Sequence, residues 1–218
     1  MLEPILAEDS TYTKLVPSLE GILKDLDEKA THHDYLVALV IVFLAEAGFY
    51  LSPPDSDRSK RPKLRSLHIP KDWKSQETGI YQLYFQLQNV PDIICKLVAI
   101  PLGDTLILNF FPLIEGKTTY TMCVQTLKHV NPFSSDLSGR YINLKVISHR
   151  FKDTLSTPVR TDVLIKTKVM GPSLQTIPTE LKLRILKLLD TQSLIKMARS
   201  CLQFYQLCSQ NQLRKIRC

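Results

Sequence analysis

The side chains that most often carry catalysis do not form any known catalytic motif in this sequence. No two of the seven glycines are separated by a single residue, which excludes a GxGxxG dinucleotide site, and the P-loop pattern is also absent. The HExxH and GxSxG patterns of zinc proteases and serine hydrolases are missing too. His129 and His149 have no nucleophile or acid at a recognisable spacing. We therefore predict no catalytic residue and a protein that is not an enzyme.

The cysteines and histidines do not have the spacing of a metal site. The five cysteines are widely separated and form no CxxC pair: Cys95, Cys123, Cys201, Cys208 and Cys218. His32 and His33 are adjacent, so on a helix their side chains point about 100° apart. We interpret this pair as polar residues in an exposed first turn. The sequence thus predicts no metal, no cofactor and no disulfide framework, which fits a reducing compartment.

A basic segment offers a different chemistry. It contains five positive charges within residues 58–65: Arg58, Lys60, Arg61, Lys63 and Arg65. Such a cluster is found in nuclear-import and nucleic-acid-binding segments, and also in solvated loops. No aromatic residues alternate with the charges, so a surface for base stacking is not supported. We interpret the segment as a solvated loop and expect no nucleic-acid partner; nucleic-acid binding remains an alternative that predicts a steep salt dependence.

Composition and charge indicate a globular protein with polarised surfaces. The 218 residues are 44% hydrophobic and 22% charged, with a net charge of +7. Residues 1–57 hold three Lys or Arg against eleven Asp or Glu, whereas residues 171–218 hold eight against two. Surfaces of opposite charge favour protein partners. The longest apolar run, Tyr35 to Ala45, is about half the length of a bilayer span, so we expect no membrane segment and a cytoplasmic protein, with the nucleus left open.

The hydrophobic periodicity predicts an α+β fold in which helices pack an antiparallel sheet. Thr31 and Asp34 resemble a capping box, and Gly48 stands where a helix commonly ends. Apolar residues surround this helix, which indicates burial against a sheet. Strands are predicted over Gly79–Gln88, Ile93–Ile100, Thr105–Phe111 and Thr118–Gln125. Their short connections indicate an antiparallel meander.

Further helices are predicted on both sides of the strands. A short helix is expected from Leu19 to Lys29. Helical spacing returns from Leu137 to Leu155, with Ser134 or Ser135 as N-cap, and Pro158 begins another helix. The composition changes near residue 171. We therefore predict a first domain over residues 1–170 and a small all-α domain over residues 171–218.

The second domain carries a pattern that resembles the F-box. Residues 174–205 read LQTIPTELKLRILKLLDTQSLIKMARSCLQFY. They predict a helix with proline at its start, followed by a second short helix that begins at Thr191 or Gln192 and runs through Cys201. A domain this small cannot bury all of its apolar side chains internally. A partner must therefore cover the apolar side chains that stay exposed. The F-box family docks on the SKP-type adaptor of cullin–RING (SCF) ubiquitin ligases. The resemblance implies adaptor-binding residues Pro178, Leu181, Ile185, Leu186, Leu189, Leu194 and Cys201.

Residues 1–170 resemble the FP domain. The resemblance rests on LEPIL at 2–6, EAGF at 46–49, Trp73-Lys74, PLG at 101–103 and FKD at 151–153. An FP domain followed by an F-box is typical of the F-box only protein 7/nutcracker-like family, and a proteasome inhibitor shares the FP domain. This implies an α/β dimerisation domain whose partner is the proteasome inhibitor or a second copy. The sheet edges Gly79–Gln88 and Thr118–Gln125 are predicted pairing surfaces, with a helical surface equally open.

The sequence therefore predicts a non-catalytic SCF subunit. Its F-box would dock the SKP-type adaptor, and through it cullin and a RING protein, while the FP domain dimerises or recruits a protein client. The alternative is a dimerising regulator of proteasome activity with a degenerate F-box. F-boxes commonly continue to a Leu-Trp pair, whereas this sequence has Leu213-Arg214, so the F-box is expected to be shortened at its C-terminus.

Overall fold

A computed structural model gives the fold of residues 6–52 except 12 and 28, residues 67–167 except 89 and 117, residues 174 and 177, and residues 179–209. The chain divides after Thr167 into two compact units. This division lies close to residue 170, where the sequence predicts the end of the first domain. The basic segment 58–65 lies outside the described residues, so its interpretation as a loop stays a prediction.

The first unit is built on a five-stranded antiparallel sheet whose strand order follows the chain. The strands are β1 (Phe49–Leu51), β2 (Tyr81–Leu87), β3 (Val90–Leu102), β4 (Thr105–Pro112) and β5 (Tyr120–Gln125). Alternate residues of β2 to β4 are buried, as the period of two requires. The predicted α+β class and the meander are confirmed. β1 is not predicted, because three residues show no periodicity.

β1 also corrects the predicted sheet edges. It pairs with β2 through Phe49 opposite Leu87 and Leu51 opposite Phe85. The prediction that Gly79–Gln88 is an exposed edge strand is therefore wrong, because β1 forms hydrogen bonds along that side. β5 pairs with β4 and is the last strand of the sheet, so Thr118–Gln125 does contain an edge strand.

The second helix is enclosed on all sides. α1 spans Pro17–Leu23 and α2 spans His32–Glu46. In α2 every residue from Leu36 to Leu44 has no exposed surface, which confirms the predicted burial. The predicted capping box is also present, because Thr31 accepts from the Asp34 amide and Asp34 accepts from the Thr31 amide. Gly48 follows the helix with a φ of 86°, a conformation that glycine adopts without strain.

The helices after the sheet begin later than the sequence predicts. The periodicity predicts a helix from Leu137, whereas α3 spans Leu144–Phe151. Neither Ser134 nor Ser135 is its N-cap. Asn143, at a φ of 55°, is the left-handed residue that precedes the helix. A π-helical turn over Lys152–Ser156 then continues into α4 (Thr157–Lys166), with Pro158 in its first turn as predicted. The helix predicted from Leu19 to Lys29 corresponds to α1, which is shorter and begins two residues earlier, at Pro17.

Asp34 joins the start of α2 to the sheet side of the unit. Its Oδ1 accepts from Lys74 Nζ at 2.9 Å and from the Tyr81 hydroxyl at 2.8 Å. Burial works to raise the pKa of Asp34, but the hydrogen bonds from Lys74, Thr31 and Tyr81 outweigh it and leave that pKa below its usual value. The carboxylate is therefore held in its charged form, and the helix start is tied to residues far away in sequence.

His33 makes a second connection and corrects the interpretation of the histidine pair. Only 7% of its surface is exposed, so it is not part of an exposed first turn. Its Nε2 donates to the Gly103 carbonyl at 2.9 Å, and the Thr126 hydroxyl donates to its Nδ1 at 3.0 Å. Both bonds are made by one neutral tautomer. Burial lowers the pKa of His33, so the native state favours this neutral form.

This arrangement predicts a pH-dependent stability. The unfolded chain takes up a proton at His33 near its usual pKa of about 6.5, while the folded state resists it, so the stabilisation is complete above that pH and is lost as the pH falls from there toward the folded-state pKa. We expect the midpoint of urea unfolding to fall more steeply between about pH 6.5 and 5 in the parent chain than in His33→Gln. His129, whose pKa burial also lowers, adds a dependence that both chains share. Parallel pH profiles would contradict this assignment.

Candidate functional site

The described part of the C-terminal unit forms three short helices. α5 spans Thr179–Leu188, α6 spans Thr191–Ala198 and α7 spans Leu202–Ser209. Asp190 caps α6 by accepting a hydrogen bond from the Ser193 amide at 2.9 Å. The predicted second helix thus begins at Thr191 as expected, but it ends at Ala198 rather than at Cys201.

The core formed by the described residues of this unit is small. Leu186, Phe204 and Leu207 are buried, and six half-buried side chains pack around them: Leu174, Leu189, Leu194, Met197, Cys201 and Cys208. α5 contributes Leu186 and α7 contributes the other two buried residues, so the core joins the first and the last helix. A core of this size provides little hydrophobic stabilisation compared with that of the first unit.

Large apolar side chains also face outward on all three helices. Their exposed fractions are 37% for Ile185, 87% for Leu188, 54% for Ile195, 72% for Leu202 and 59% for Tyr205. Ile185 and Leu188 lie one turn apart on α5, and Leu202 and Tyr205 lie one turn apart on α7. We name these five residues the outer apolar residues. Exposed apolar side chains at this density are typical of protein-binding surfaces.

The predicted adaptor-binding residues occupy different positions in the unit. Leu186 is buried in the core, and Leu189, Leu194 and Cys201 are half-buried against it. Ile185 is separate from them on the outer side. Pro178 and the side chain of Leu181 lie outside what the structure describes. Adaptor contact by these residues stays a prediction.

Four outer apolar residues were not singled out from the sequence. These are Leu188, Ile195, Leu202 and Tyr205. The spacing contains a signal for three of them, because Leu188 follows Ile185 by one turn and Tyr205 follows Leu202 by one turn. Isolated Ile195 has no such neighbour, so only the structure reveals its exposure.

The polar surroundings of the outer apolar residues are basic. Lys187, Lys196 and Arg199 are exposed and give this unit a basic surface. Burial raises the pKa of the Cys208 thiol, which disfavours the reactive thiolate. In the part of the chain that the structure describes, no group of three or more His, Cys, Asp or Glu is placed to hold a metal ion. Within the same residues, none of the helices is long and apolar enough to cross a bilayer.

Comparison with known proteins finds relatives of both units. A family described as F-box-like matches residues 174–218. F-box only protein 7 from Homo sapiens is 26% identical over 206 residues, covering 91% of this chain and 37% of that protein. F-box only protein 7 from Rattus norvegicus is 28% identical over 208 residues, covering 92% of this chain and 37% of the relative. The predicted resemblance to F-box only protein 7 and to the F-box is confirmed, and the chain spans little more than a third of the relatives' length.

The two faces of α5 predict different responses to truncation. Leu186→Ala removes a buried side chain, so we expect it to destabilise the C-terminal unit by about 2–5 kcal/mol. Leu188→Ala removes an exposed side chain from the same helix and should change the stability by less than about 0.5 kcal/mol. Amide hydrogen exchange in α5 to α7 measures both effects. Equal protection in the two variants would mean that Leu186 is not a core residue.

Proposed function

We propose that this chain is a non-catalytic, substrate-recognition subunit of an SCF ubiquitin ligase. The C-terminal unit would dock the SKP-type adaptor, and the first unit would dimerise or recruit a protein client. The observation that carries the proposal is the set of outer apolar residues on a unit that an F-box-like family matches. Similarity to F-box only protein 7 over both units supports it.

The energetics of the outer apolar residues suit a stable interface. Full burial of a Leu or Ile side chain contributes about 1.5–3 kcal/mol. Leu188 and Leu202 are largely exposed in the chain alone and have the most to gain from a partner. Binding also encloses α5 and α7, the two helices that share the small core. The partner therefore stabilises the unit by covering the side of each helix that the unit's own core leaves open.

Electrostatics would guide the encounter. Exposed Lys187, Lys196 and Arg199 lie on or directly after helices that carry outer apolar residues. The F-box resemblance implies an acidic adaptor, and opposite charges raise the association rate without needing to be buried. The role of the chain in ubiquitin transfer is then to raise the effective concentration of client lysines near a conjugating enzyme, which requires no catalytic side chain.

A charge placed among the outer apolar residues tests adaptor docking. Because Ile185 would be covered in the complex, Ile185→Asp buries an uncompensated carboxylate, and we expect affinity for a purified SKP-type adaptor to fall at least about 100-fold. Ile165→Asp is the matched control, since Ile165 is 64% exposed in the first unit. Calorimetric titration measures both variants, and circular dichroism checks that they remain folded.

The outcome also separates the two functions that the sequence leaves open. Loss of binding in Ile185→Asp alone supports the SCF subunit. If the parent chain does not bind the adaptor, the docking proposal fails. The alternative function then remains, in which the chain is a dimerising regulator of proteasome activity and its F-box is degenerate.

For the first unit, the proposed pairing surface is the open face of the sheet and its β5 edge. Helices cover the face that carries Phe85, Leu97 and Leu108, which are buried. The other face mixes half-buried apolar residues with polar Gln86, Lys96 and Asn109; the apolar ones are Tyr84, Ile94, Val98, Ile100, Ile107 and Phe111. Antiparallel sheets with one solvated face normally carry mainly polar residues on it, so a second face with this many apolar residues favours a partner. The FP resemblance supports a second copy or a proteasome inhibitor as that partner.

Dimerisation through this face predicts a specific response to a charge. Ile107 lies on the open face and pairs with Cys123 of the edge strand. Ile107→Arg should convert a dimer into a monomer in sedimentation velocity experiments, because a desolvated guanidinium costs several kcal/mol. Val146→Arg is the control, since Val146 is 63% exposed on α3, away from the sheet. A dimer that persists in Ile107→Arg would direct the search to a helical surface.

A further inference from the structure

A tight turn displays an aromatic side chain on the surface of the first unit. The turn spans residues 131–134, and the Ser134 amide donates to the Asn131 carbonyl at 3.4 Å. Phe133, the third residue of the turn, has 94% of its surface exposed, the largest fraction for any large apolar side chain that the structure describes. A single exposed apolar residue is ordinary on a protein surface. The case for a function therefore depends on how the turn holds this residue.

The local sequence favours the turn. Asn is preferred at the first position of a type I turn and Pro at the second. Asn131 Oδ1 accepts from the Phe133 amide at 3.1 Å, which forms an Asx turn around the same residues. In the described part of the chain, Asn143 is the only non-glycine residue with a positive φ, so Phe133 does not adopt the left-handed conformation that a type II turn requires. The sequence Asn-Pro-Phe thus specifies the backbone that presents the phenyl ring.

Contacts from the rest of the unit hold the turn in place. Arg140 donates from Nη1 to the Pro132 carbonyl at 3.3 Å and from Nη2 to the Ser134 carbonyl at 2.8 Å. Its guanidinium also lies over the ring of Tyr35, 4.3 Å from the ring centre, and Tyr35 belongs to the enclosed helix α2. The Asn131 amide donates to the Arg140 carbonyl at 2.7 Å. The turn is thereby fixed to the core of the unit, while its aromatic side chain stays outside that core.

We propose that residues 131–134, the Asn-Pro-Phe turn, dock on a protein domain whose apolar pocket admits one phenyl ring. Aromatic side chains in well-packed pockets supply much of the binding energy of protein interfaces. A turn that already has its bound shape loses little conformational entropy on binding. Asn131 Nδ2 donates to none of the described residues and can donate to an acceptor at the rim of the pocket. One short segment thus offers an apolar anchor and a polar group that orients it.

The surroundings of Phe133 favour a pocket over a flat apolar surface. The residues that follow it are polar: Ser134, Ser135 and Asp136. One ring therefore projects from a largely polar loop, whereas a contact between flat surfaces needs a broader apolar patch. Residues 131–140 hold one acid and one base, so charge contributes little to binding. The turn uses neither the outer apolar residues nor the open face of the sheet, and the proposal is independent of adaptor docking.

Calorimetric titration of the full chain with an EH domain, a module that binds Asn-Pro-Phe peptides, tests the proposal. We expect saturable binding of one domain per chain, at least about fivefold tighter than binding of a blocked peptide of residues 128–137, because the free peptide must order its turn. The affinity should change by less than about threefold between low and high salt. Absence of saturable binding to the chain would overturn the proposal, and so would an affinity no greater than that of the peptide.

Two variants assign the binding to the turn. Phe133→Ala removes an exposed ring and leaves the core intact, so the chain should stay folded by circular dichroism while binding weakens at least about 30-fold. Ile165→Ala is the matched control, since Ile165 is another exposed apolar residue, at 64%, and should leave binding unchanged. Unchanged binding in Phe133→Ala would contradict the motif.

Sedimentation velocity of the same variants tests the other occupant, a second copy of the chain. We expect Phe133→Ala to keep the oligomeric state of the parent chain, because the proposed pocket belongs to a different protein. Conversion of a dimer into a monomer by Phe133→Ala, but not by Ile165→Ala, would place the ring in a contact between copies and would overturn the proposal.

Discussion

The complete enclosure of α2 is the constraint on which the first unit depends. A helix that is apolar around its whole circumference must be covered by the sheet on one side and by other helices elsewhere. Its polar start then lies inside the protein as well, and must find its hydrogen bonds there. Asp34 accepts hydrogen bonds from Lys74 and Tyr81, and His33 forms hydrogen bonds with Gly103 and Thr126. These contacts join segments that are distant in sequence.

The two units differ in how much of their apolar surface they bury. The first unit places its largest side chains, Phe43, Phe85 and Phe110 among them, in an internal core with no exposed surface. Among the described residues of the C-terminal unit, the buried apolar core consists of Leu186, Phe204 and Leu207, while Leu188 and Leu202 lie mostly in solvent. This contrast follows from size, because the buried fraction of a chain grows with its length. The exposed apolar side chains of the second unit suit it to association with a partner.

Local patterns in the sequence predict those parts of the fold that local physics determines. The capping box at Thr31, the buried α2 and the four long strands are readable because each depends on neighbouring residues or on a regular period. Three features could not be predicted from local sequence because they depend on tertiary contacts: β1, the burial of His33 and the late start of α3. The candidate site shows the same limit. The pattern identifies α5 as amphipathic, but only tertiary packing decides that Leu186 points inward and Ile185 outward.

The small core formed by the described residues of the C-terminal unit has a consequence for the amount of this protein in a cell. When a partner binds only the folded form, the free energy of unfolding rises with the logarithm of the partner's free concentration. A unit with little stability of its own then depends on supply: molecules made in excess of the partner spend more time open and are cleared by chaperones and proteases. The level of this protein would follow the level of the protein that covers α5 and α7, without any dedicated feedback.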